Sequence, residues 1–518
     1  MLKLISSSSQ SRRHFTRSIY SSLFTRRLQS QSAPSSPSNS ERHETSRPLP
    51  SKSSSDYLFN RLREVKDPKR SVLPLLEQWA AEGRPLNHSS LANIVGTMKK
   101  LNRWNHALQI SQWMTDRRFF VLTPKDVGER LELLARVHGV EHAEKYFNNL
   151  ADSLKTYYAY GAMLKTYVQQ KDVEKAEGLV QKMKELGMTN HSFSYNHMIL
   201  LYTRFNMLDK VDQLVEEMEA NGIPQDIFTK TNLLSAYGVS DIRKMEELLN
   251  DIKENQNLAT KWQFYSIAAK FYIKAGAVDK AFEMLKEVEG KISPRGNRFA
   301  AQHLLTYYAE AGSKDDVYRV WNQNKPSDRK LNEFVSCMIS SLSKLDDIEG
   351  AEEIFKEWES KCDSYDFRVV NKLVDAYCKK DLVDKARSLV EEKVAEGKET
   401  YASTWYILAI GYIKQRRMPE ATGMLKKALN MGRQGWRPRS LSDVDACLDY
   451  LEEHADVEGL EEIIGLLRAS GLLTLGTYHR LLRASIAAGK CLPSILAQME
   501  SDGFHIDEET QKILDTKN

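Results

Sequence analysis

The sequence contains one short pattern that could bind a metal ion. His138, Glu141 and His142 match the H-x-x-E-H arrangement of some zinc peptidases. Zinc bound in that way needs both histidines and the glutamate on one continuous helix, together with a further ligand. Gly139 directly follows His138 and interrupts a helix there. We therefore expect an exposed turn at this place and no metal site.

No other pattern of catalytic or cofactor-binding residues is complete. Gly489-Lys490 lacks the upstream glycine of a phosphate-binding loop, because Ala484 and Ser485 stand near that position. No H-x-E is followed by C-x-x-C, so the sequence does not predict the zinc site of the cytidine deaminases. The cysteines are odd in number, scattered and without a C-x-x-C pair: Cys337, Cys362, Cys378, Cys447 and Cys491. We expect no catalytic residue, no cofactor and no enzyme activity.

Residues 195–226 contain two short helical patterns, with residues 205–207 as the turn between them. Apolar residues form one face of a first helix at Tyr195, Met198, Ile199 and Tyr202. A second such face consists of Leu208, Val211, Leu214, Val215 and Met218. Gly222 and Pro224 end the second helix, because glycine adopts a left-handed cap and proline cannot continue a helix. A single pair of short helices cannot bury both of its faces, so the pattern predicts a neighbour on each side.

Copies of this helix pair recur with a period close to 35 residues. The position of Tyr202 recurs as Tyr167, Tyr237, Tyr272, Tyr308, Leu342, Tyr377, Tyr412 and Leu451. The position of Val211 recurs as Ala107, Ala143, Ala176, Met245, Ala281, Val317, Ala351, Ala386, Ala421 and Leu460. Two columns that share one period predict an array of helix-turn-helix units, each packed only on its neighbours.

The array resembles the pentatricopeptide repeat family in its plain form, the P-type. The tetratricopeptide repeat has a period of about 34 residues and needs a small residue three positions before the helix-end tyrosine. In this chain that position is mostly bulky, as at Leu164, Ile199 and Leu234, and Tyr195-Asn196 opens a first helix. The resemblance covers roughly residues 88 to 508, about 12 units. It implies an all-α fold, a right-handed superhelical solenoid of tandem repeats whose first helices line the concave face.

The resemblance also implies residues that read RNA. In this family each unit reads one nucleotide, through the residue after the helix-opening aromatic and the last residue of the unit. Three pairs match the family pattern: Asn196 with Asp226 for uracil, Ser266 with Asn297 for adenine, and Ser336 with Asp366 for guanine. Asn371 stands at the same position in its unit, with Tyr401 as the last residue. The alternative for each polar residue is a solvated helix start or a helix cap.

The chain divides into five segments by composition and repeat pattern. Residues 1–32 are expected to be an organelle transit peptide, because the first 40 residues contain no Asp or Glu and are rich in Arg and Ser. Residues 33–55 are expected to be a disordered linker. Residues 56–87 are expected to be a helical cap, residues 88–508 the repeats and residues 509–518 a tail. The density of arginine favours a mitochondrial destination, with the chloroplast as the alternative.

The net charge differs between the leader and the array. The whole chain has a formal charge of +4, whereas residues 1–55 hold nine Lys or Arg and two Glu, a net of +7. The rest of the chain therefore carries −3, so a broad surface that attracts phosphate is not predicted. No apolar run reaches the about 18 residues that a membrane helix needs, and we expect no membrane partner.

Two functions remain open at the level of the sequence. The first is a non-catalytic RNA-binding protein that acts on organellar transcripts in processing, stability or translation. The second is a scaffold component of the mitochondrial ribosome that binds protein and ribosomal RNA, since the stretch 101–114 resembles a compact plant subgroup of the family. The expected partners are single-stranded organellar RNA or ribosomal RNA, with mitochondrial ribosomal proteins in the second case, and not DNA.

Overall fold

The computed structural model describes residues 57–65, 67, 70–116, 120–292, 297–325, 332–362, 365–432 and 436–516. Within these residues every regular element is helical: 28 α-helices and one short 3-10 helix at Asp152–Leu154. The chain is thus an all-α protein, as the repeat pattern predicts. The expected transit peptide and linker lie outside the described residues.

The chain separates into two compact units, the first of which ends at Leu86. Its described part contains α1 (Leu58–Glu64) and α2 (Leu73–Ala81). The side chains of Leu62 and Leu76 are fully buried. The Arg61 guanidinium forms an ion pair with Glu82 at 2.8 Å and lies over the ring of Trp79 at 5.1 Å. Two helices therefore lie in the described part of this first unit.

The described residues of the second unit, Asn87–Asn518, form twelve helical hairpins, with a one-turn helix between the fifth and sixth hairpins and one more helix after the twelfth. The first helices of the hairpins are α3 (His88–Lys100), α5 (Pro124–His138), α7 (Tyr157–Gln170), α9 (Ser192–Arg204), α11 (Ile227–Ser240), α14 (Trp262–Lys274), α16 (Arg298–Glu310), α18 (Asn332–Lys344), α20 (Phe367–Lys379), α22 (Ala402–Lys414), α24 (Leu441–Glu453) and α26 (Leu475–Ala487). The second helices are α4 (Trp104–Asp116), α6 (Val140–Asn148), α8 (Val173–Glu185), α10 (Leu208–Ala220), α12 (Ile242–Glu254), α15 (Val278–Gly290), α17 (Lys314–Asn324), α19 (Ile348–Lys361), α21 (Val383–Ala395), α23 (Met418–Met431), α25 (Val457–Ser470) and α27 (Pro493–Ser501). The remaining helices are α13 (Gln256–Ala259) and α28 (Glu508–Asp515).

The hairpin α9–α10 shows how local sequence defines a unit. The turn at residues 205–207 lies where the pattern predicts it, and Asn206 adopts the left-handed conformation with φ of 57°. Gly222 ends α10 with φ of 63°, and the following Ile223 N–H donates to the Met218 carbonyl at 2.8 Å. Asp226 then caps α11. The chain therefore reverses direction twice within about one repeat length.

Small residues in the second helices allow the hairpins to pack closely. Every member of the column that contains Val211, from Ala107 to Leu460, has a fully buried side chain. From α5 to α26 each first helix contacts the next first helix, so these helices form one continuous row. The second helices contact mainly the first helices of their own unit and the next. α28 packs against α26, in the place that a thirteenth first helix would take.

A polar cluster joins each of several hairpins to the next. The Tyr202 hydroxyl donates to Glu177 Oε1 at 2.9 Å, and Lys210 Nζ donates to the same oxygen and lies 5.3 Å from the Tyr202 ring centre. We name this arrangement the Tyr–acid–Lys cluster. It recurs as Tyr167–Glu144–Lys175, Tyr237–Asp212–Lys244, Tyr272–Glu246–Lys280 and Tyr377–Glu352–Lys385. The tyrosine column therefore contributes hydrogen bonds between units as well as apolar packing.

Candidate nucleic-acid interface

The predicted site residues occupy two equivalent places in the array. Asn196, Ser266, Ser336 and Asn371 are each the fifth residue of a first helix. Asp226, Asn297 and Asp366 are each the N-cap of the following first helix, and Tyr401 is the residue before α22. Because consecutive first helices pack side by side, the fifth residue of one helix lies near the start of the next. The fold thus brings the two predicted positions to one edge of each pair of first helices.

Asn196 and Asp226 are in direct contact. Asn196 Nδ2 donates to Asp226 Oδ1 at 3.2 Å, and Ser192 Oγ donates to Asp226 Oδ2 at 2.7 Å. Asp226 also accepts from the Thr229 N–H at 2.8 Å as the cap of α11. Only 4% of Asn196 is exposed, and its Oδ1 atom has no hydrogen-bond partner. The amide is therefore held by its nitrogen and presents an unsatisfied acceptor.

Ser266 and Asn297 are not joined to each other. Ser266 Oγ hydrogen-bonds to His303 Nδ1 at 2.9 Å, whereas Asn297 accepts from the Ala300 N–H at 3.2 Å as a helix cap. Burial, with a smaller effect of nearby Lys270, lowers the pKa of His303 to about 4, so this imidazole is neutral at pH 7. The hydroxyl of Ser266 is thus already engaged by the next first helix.

His303 was not among the residues predicted to bind RNA. Its ring lies 5.3 Å from Trp262, 4.9 Å from Phe299 and 5.7 Å from Tyr307, measured between ring centres. His303 is the sixth residue of α16, and His197 is the sixth residue of α9. The repeat register would have shown that these two histidines are equivalent.

Ser336 and Asp366 are also separate. Arg368 binds the Asp366 carboxylate, with Nη2 at 2.7 Å from Oδ2 and Nε at 3.0 Å from Oδ1. Asn332 Nδ2 lies 3.4 Å from the same Oδ2 atom. Burial opposes ionisation of Asp366, but the hydrogen bonds of Arg368 dominate and the pKa of Asp366 is lowered. This carboxylate is therefore ionised and is already bound by an arginine of α20, the helix that it caps.

Asn371 repeats the most distinctive feature of Asn196. Its Nδ2 atom donates to Ser403 Oγ at 3.4 Å, and its buried Oδ1 atom has no hydrogen-bond partner. Tyr401, the last residue of that unit, is 46% exposed. Two fifth-position asparagines thus each leave one buried amide oxygen unsatisfied, which is costly unless water or a ligand reaches it.

Charge is distributed unequally between the two kinds of helix. In the first ten hairpins the first helices contain 16 Lys or Arg and 6 Asp or Glu. The second helices of the same hairpins contain 19 Lys or Arg and 30 Asp or Glu. The thirteenth residue of the first helix is often a cation, at Lys100, Arg136, Arg204, Lys274, Lys344, Lys379 and Lys414. These cations lie in the last helical turn, where the helix dipole favours positive charge. The row of first helices is therefore basic although the array as a whole is not.

One lysine of this row is strongly affected by its surroundings. Burial, reinforced by Lys274, lowers the pKa of Lys270 to about 8. A cation in such a position gains from a nearby anion, because the protein itself supplies little compensation.

The H-x-x-E-H pattern does not form a cluster of metal ligands. His138 is the last residue of α5, Gly139 has φ of 96°, and His142 lies in α6. The two imidazole rings are 5.5 Å apart, but no group of three His, Cys, Asp or Glu side chains with metal-binding geometry occurs in the part of the chain that the structure describes. In that same part, none of the helices is both long and apolar enough for a membrane crossing.

Comparison with known proteins agrees with the repeat pattern. A family model described as PPR repeat matches residues 158–188, 193–223, 334–362 and 368–397. The pentatricopeptide repeat-containing protein At2g20710, mitochondrial, of Arabidopsis thaliana is 37% identical over 88% of this chain and 92% of its own length.

Two further relatives from Arabidopsis thaliana match over similar lengths. The pentatricopeptide repeat-containing protein At4g21705, mitochondrial, is 33% identical over 89% of this chain and 94% of its own. The large ribosomal subunit protein mL101 (rPPR4) is 35% identical over 88% of this chain and 94% of its own. These identities extend over nearly the whole repeat array and not over a few units. The chain is therefore a member of the pentatricopeptide repeat family.

Proposed function

We propose that this protein is a non-catalytic RNA-binding member of the plain P-type, located in the mitochondrion, where it acts on organellar transcripts. The observation that carries the proposal is the Asn196–Asp226 pair, in which the amide nitrogen is held at 3.2 Å and the amide oxygen is left unpaired. The basic row of first helices supports it, because phosphate contacts supply most of the affinity for single strands. The names of several relatives include the word mitochondrial, which supports the location.

The chemistry of the pair favours one kind of base edge. An amide oxygen accepts a hydrogen bond, and the N3–H of uracil is a donor at the position where cytosine has an acceptor. Asp226 prevents the Asn196 amide from turning, because it accepts from Nδ2 while its other oxygen accepts from Ser192. Only 4% of Asn196 is exposed and its Oδ1 atom is buried, so a base reaches this oxygen only after the side chains that cover it move.

A second function is favoured by a specific observation. The relative mL101 (rPPR4) is named as a large ribosomal subunit protein and matches over nearly its whole length. In addition, only one of the three family-type pairs is joined by a hydrogen bond in this chain. A scaffold of the mitochondrial ribosome that binds ribosomal RNA and ribosomal proteins needs no long run of base-reading pairs.

Crosslinking of the tagged protein in isolated mitochondria distinguishes the two functions. Label on a few transcripts, at uridine-containing sites, supports the base-reading function. Label on ribosomal RNA together with sedimentation in the large ribosomal subunit supports the scaffold function. Label on protein alone, away from ribosomes, contradicts both.

A further inference from the structure

The fifth residues of the first helices differ between the middle and the ends of the array. In the fourth to ninth hairpins this residue always has a side chain that forms hydrogen bonds: Asn196, Thr231, Ser266, Gln302, Ser336 and Asn371. In the first three hairpins it is Ala92, Gly128 or Gly161, and in the last three it is Tyr406, Asp445 or His479. Both ends therefore differ from the middle at the position that the proposed function uses.

Neighbouring helices fill the space beside the fifth residue in the second and third hairpins. A Cβ atom placed on Gly128 would lie 2.8 Å from the carbonyl oxygen of Tyr158, the second residue of α7. A Cβ atom placed on Gly161 would lie 3.1 Å from the ring of Phe193, the second residue of α9. These two hairpins thus offer no side chain to a base at this position, and the next first helix leaves little room for one.

An ion network neutralises cations on the same face of these helices. Glu132 is the ninth residue of α5 and lies about one turn after Gly128, on the same side of the helix. Its carboxylate lies 2.8 Å from Lys99 Nζ of α3 and also accepts from Lys165 Nζ of α7. One anion therefore joins three consecutive first helices and pairs with two cations that would otherwise attract phosphate.

In the tenth and eleventh hairpins the fifth residues are bound by other groups of the protein. The Tyr406 hydroxyl accepts from the Ser440 N–H at 3.1 Å and donates to the Asp443 carboxylate. Asp445 Oδ1 lies 3.3 Å from Arg480 Nη2 of the next first helix. The polar groups of both residues are thus already engaged within the array.

The last part of the row is acidic and covered by a further helix. α24 has Asp445, Asp449 and Glu452 at its fifth, ninth and twelfth positions, which lie on one face of the helix. Arginines of α26 pair with the last two at 2.7 and 2.6 Å, so these cations are neutralised as well. His479, the fifth residue of α26, is only 4% exposed, and its Nε2 atom lies 2.9 Å from Thr510 Oγ1 of α28. This end of the row is therefore closed to a base.

The middle of the row contains a cation in the opposite situation. Lys270 is the ninth residue of α14, the position that Lys165 has in α7. Burial and then the charge of Lys274 lower the pKa of Lys270 to about 8, against a smaller opposite effect of Glu310. Glu310 itself pairs with Lys344 at 2.5 Å. A phosphate beside Lys270 would therefore be more favourable than one beside Lys165, whose charge Glu132 already balances.

We propose that RNA contacts only the first helices of the fourth to ninth hairpins, which are α9, α11, α14, α16, α18 and α20. One base per hairpin gives a bound single-stranded segment of six nucleotides, although the array contains twelve hairpins. The contacts within each end close the other six hairpins to RNA. The inference rests on the proposed RNA-binding function and adds to it the place and the length of the bound segment.

The length of the segment is measured with the full chain and fluorescein-labelled oligouridylates of about 3, 6, 9 and 12 nucleotides. Kd is determined by fluorescence anisotropy at several salt concentrations. Each phosphate contact adds about 0.7 to the slope of log K against log salt, whereas the number of registers open to a longer strand changes K and not the slope. We expect the slope to rise up to about six nucleotides, to no more than about 4, and to stay constant for longer strands. A slope that still rises at about 12 nucleotides would overturn the inference while RNA binding stands.

Two lysines at the same helix position give a matched comparison. Lys270→Gln removes a cation from the middle of the row, and Lys165→Gln removes one from a closed end. We expect Lys270→Gln to weaken binding about fivefold at about 0.1 M salt and to lower the slope by about 0.7, and Lys165→Gln to change neither. Equal losses in both variants would refute the closure of the first three hairpins. If the wild type binds none of the oligouridylates, the proposed function fails and this inference fails with it.

Discussion

At the scale of single residues, the equivalent positions of the array differ in what they leave for a ligand. Asn196 and Asn371 each keep an unpaired amide oxygen, whereas the hydroxyl of Ser266 is engaged by His303. Asp226 accepts a hydrogen bond from Asn196, whereas Asp366 accepts hydrogen bonds from Arg368. One position in the repeat register therefore has several chemical states, and only the neighbouring side chains determine which state occurs.

Asn196→Ala/Asp226→Ala should weaken binding of one preferred RNA and spare generic binding. The loss should be about 1–3 kcal/mol, by analogy with a base-specific contact in DNA. Affinities for oligouridylate and oligocytidylate give the measurement. Because Asp226 also caps a helix, the control is Asp241→Ala, which removes the cap of the second helix α12 and lies outside the predicted base-reading positions. Equal effects of both variants on RNA affinity would contradict base reading by this pair.

His197 should make the stability of the array depend on pH. Burial lowers its pKa to about 4, and its Nδ1 lies 2.9 Å from the Phe193 carbonyl. The unfolded chain therefore binds a proton at this residue near pH 6.5, where the folded chain does not, so stability falls as pH drops from 6.5 towards 4. The full loss is about 3 kcal/mol for one such histidine. Urea unfolding at pH 7 and pH 4.5 should show a smaller difference for His197→Phe than for the wild type; the same difference in both would contradict this role.

At the scale of helices, contacts between hairpins combine tight apolar packing with the Tyr–acid–Lys clusters. The acid of one second helix accepts from both helices of the next hairpin, as Glu177 does from Tyr202 and Lys210. The Lys210 hydrogen bond lowers the pKa of Glu177 most. Burial raises this pKa by less, and the Tyr202 hydrogen bond lowers it further, so the carboxylate stays ionised. The same polar contact thus recurs between several pairs of neighbouring hairpins.

Tyr202→Phe should lower the free energy of unfolding by about 0.5–1.5 kcal/mol, because it removes one hydrogen bond and keeps the ring. Urea denaturation gives the measurement. Tyr158→Phe is the matched control, since that tyrosine is 52% exposed and lies outside the clusters. An unchanged midpoint for Tyr202→Phe would mean that the cluster does not stabilise the junction.

Ala281→Leu and Ala386→Leu should each destabilise the array by about 1–3 kcal/mol, because an enlarged side chain overpacks a close helix contact. Both alanines are fully buried. Lys286→Leu, on the same helix as Ala281 but exposed, serves as the control for added leucine. Thermal melting of the three variants should separate the buried positions from the exposed one, and three equal melting temperatures would speak against the register.

At the scale of the whole molecule, the potential that a ligand meets depends more on how charge is divided between first and second helices than on the total charge. The first helices of the first ten hairpins hold 16 cationic and 6 anionic residues, so a ligand that binds this row meets a positive potential. α24, the next first helix in the row, contains five Asp or Glu and no Lys or Arg, so it does not add to this positive potential. The leader adds a net charge of +7 in residues 1–55, and its expected role is targeting.

Arg12→Glu/Arg13→Glu/Arg17→Glu should leave the protein in the cytosol, because a mitochondrial leader depends on an acid-free cationic helix. Fluorescent fusions of the wild type and the variant give the measurement. Lys286→Glu/Lys356→Glu, which reverses charge in the array, is the control and should still be imported. Import of the leader variant would refute the targeting role of these arginines.

The amino-acid sequence alone determined the repeat and the positions of its core. The Val211 column is fully buried from Ala107 to Leu460, and the period predicts this because each unit must place this position against the equivalent neighbouring helix. Helix ends such as those at Gly222 and Asp226 also follow from local residue chemistry.

The tertiary structure decided which polar side chains meet across units. Ser266 contacts His303 and not Asn297, and Tyr202 meets Glu177, because residues about one repeat apart meet only after the helices have packed. Residue type and register predicted the place of Asn196, but the unpaired state of its oxygen depends on where Asp226, Ser192 and Asn232 direct their hydrogen bonds. Those directions arise from side-chain packing in three dimensions, which a one-dimensional period does not contain.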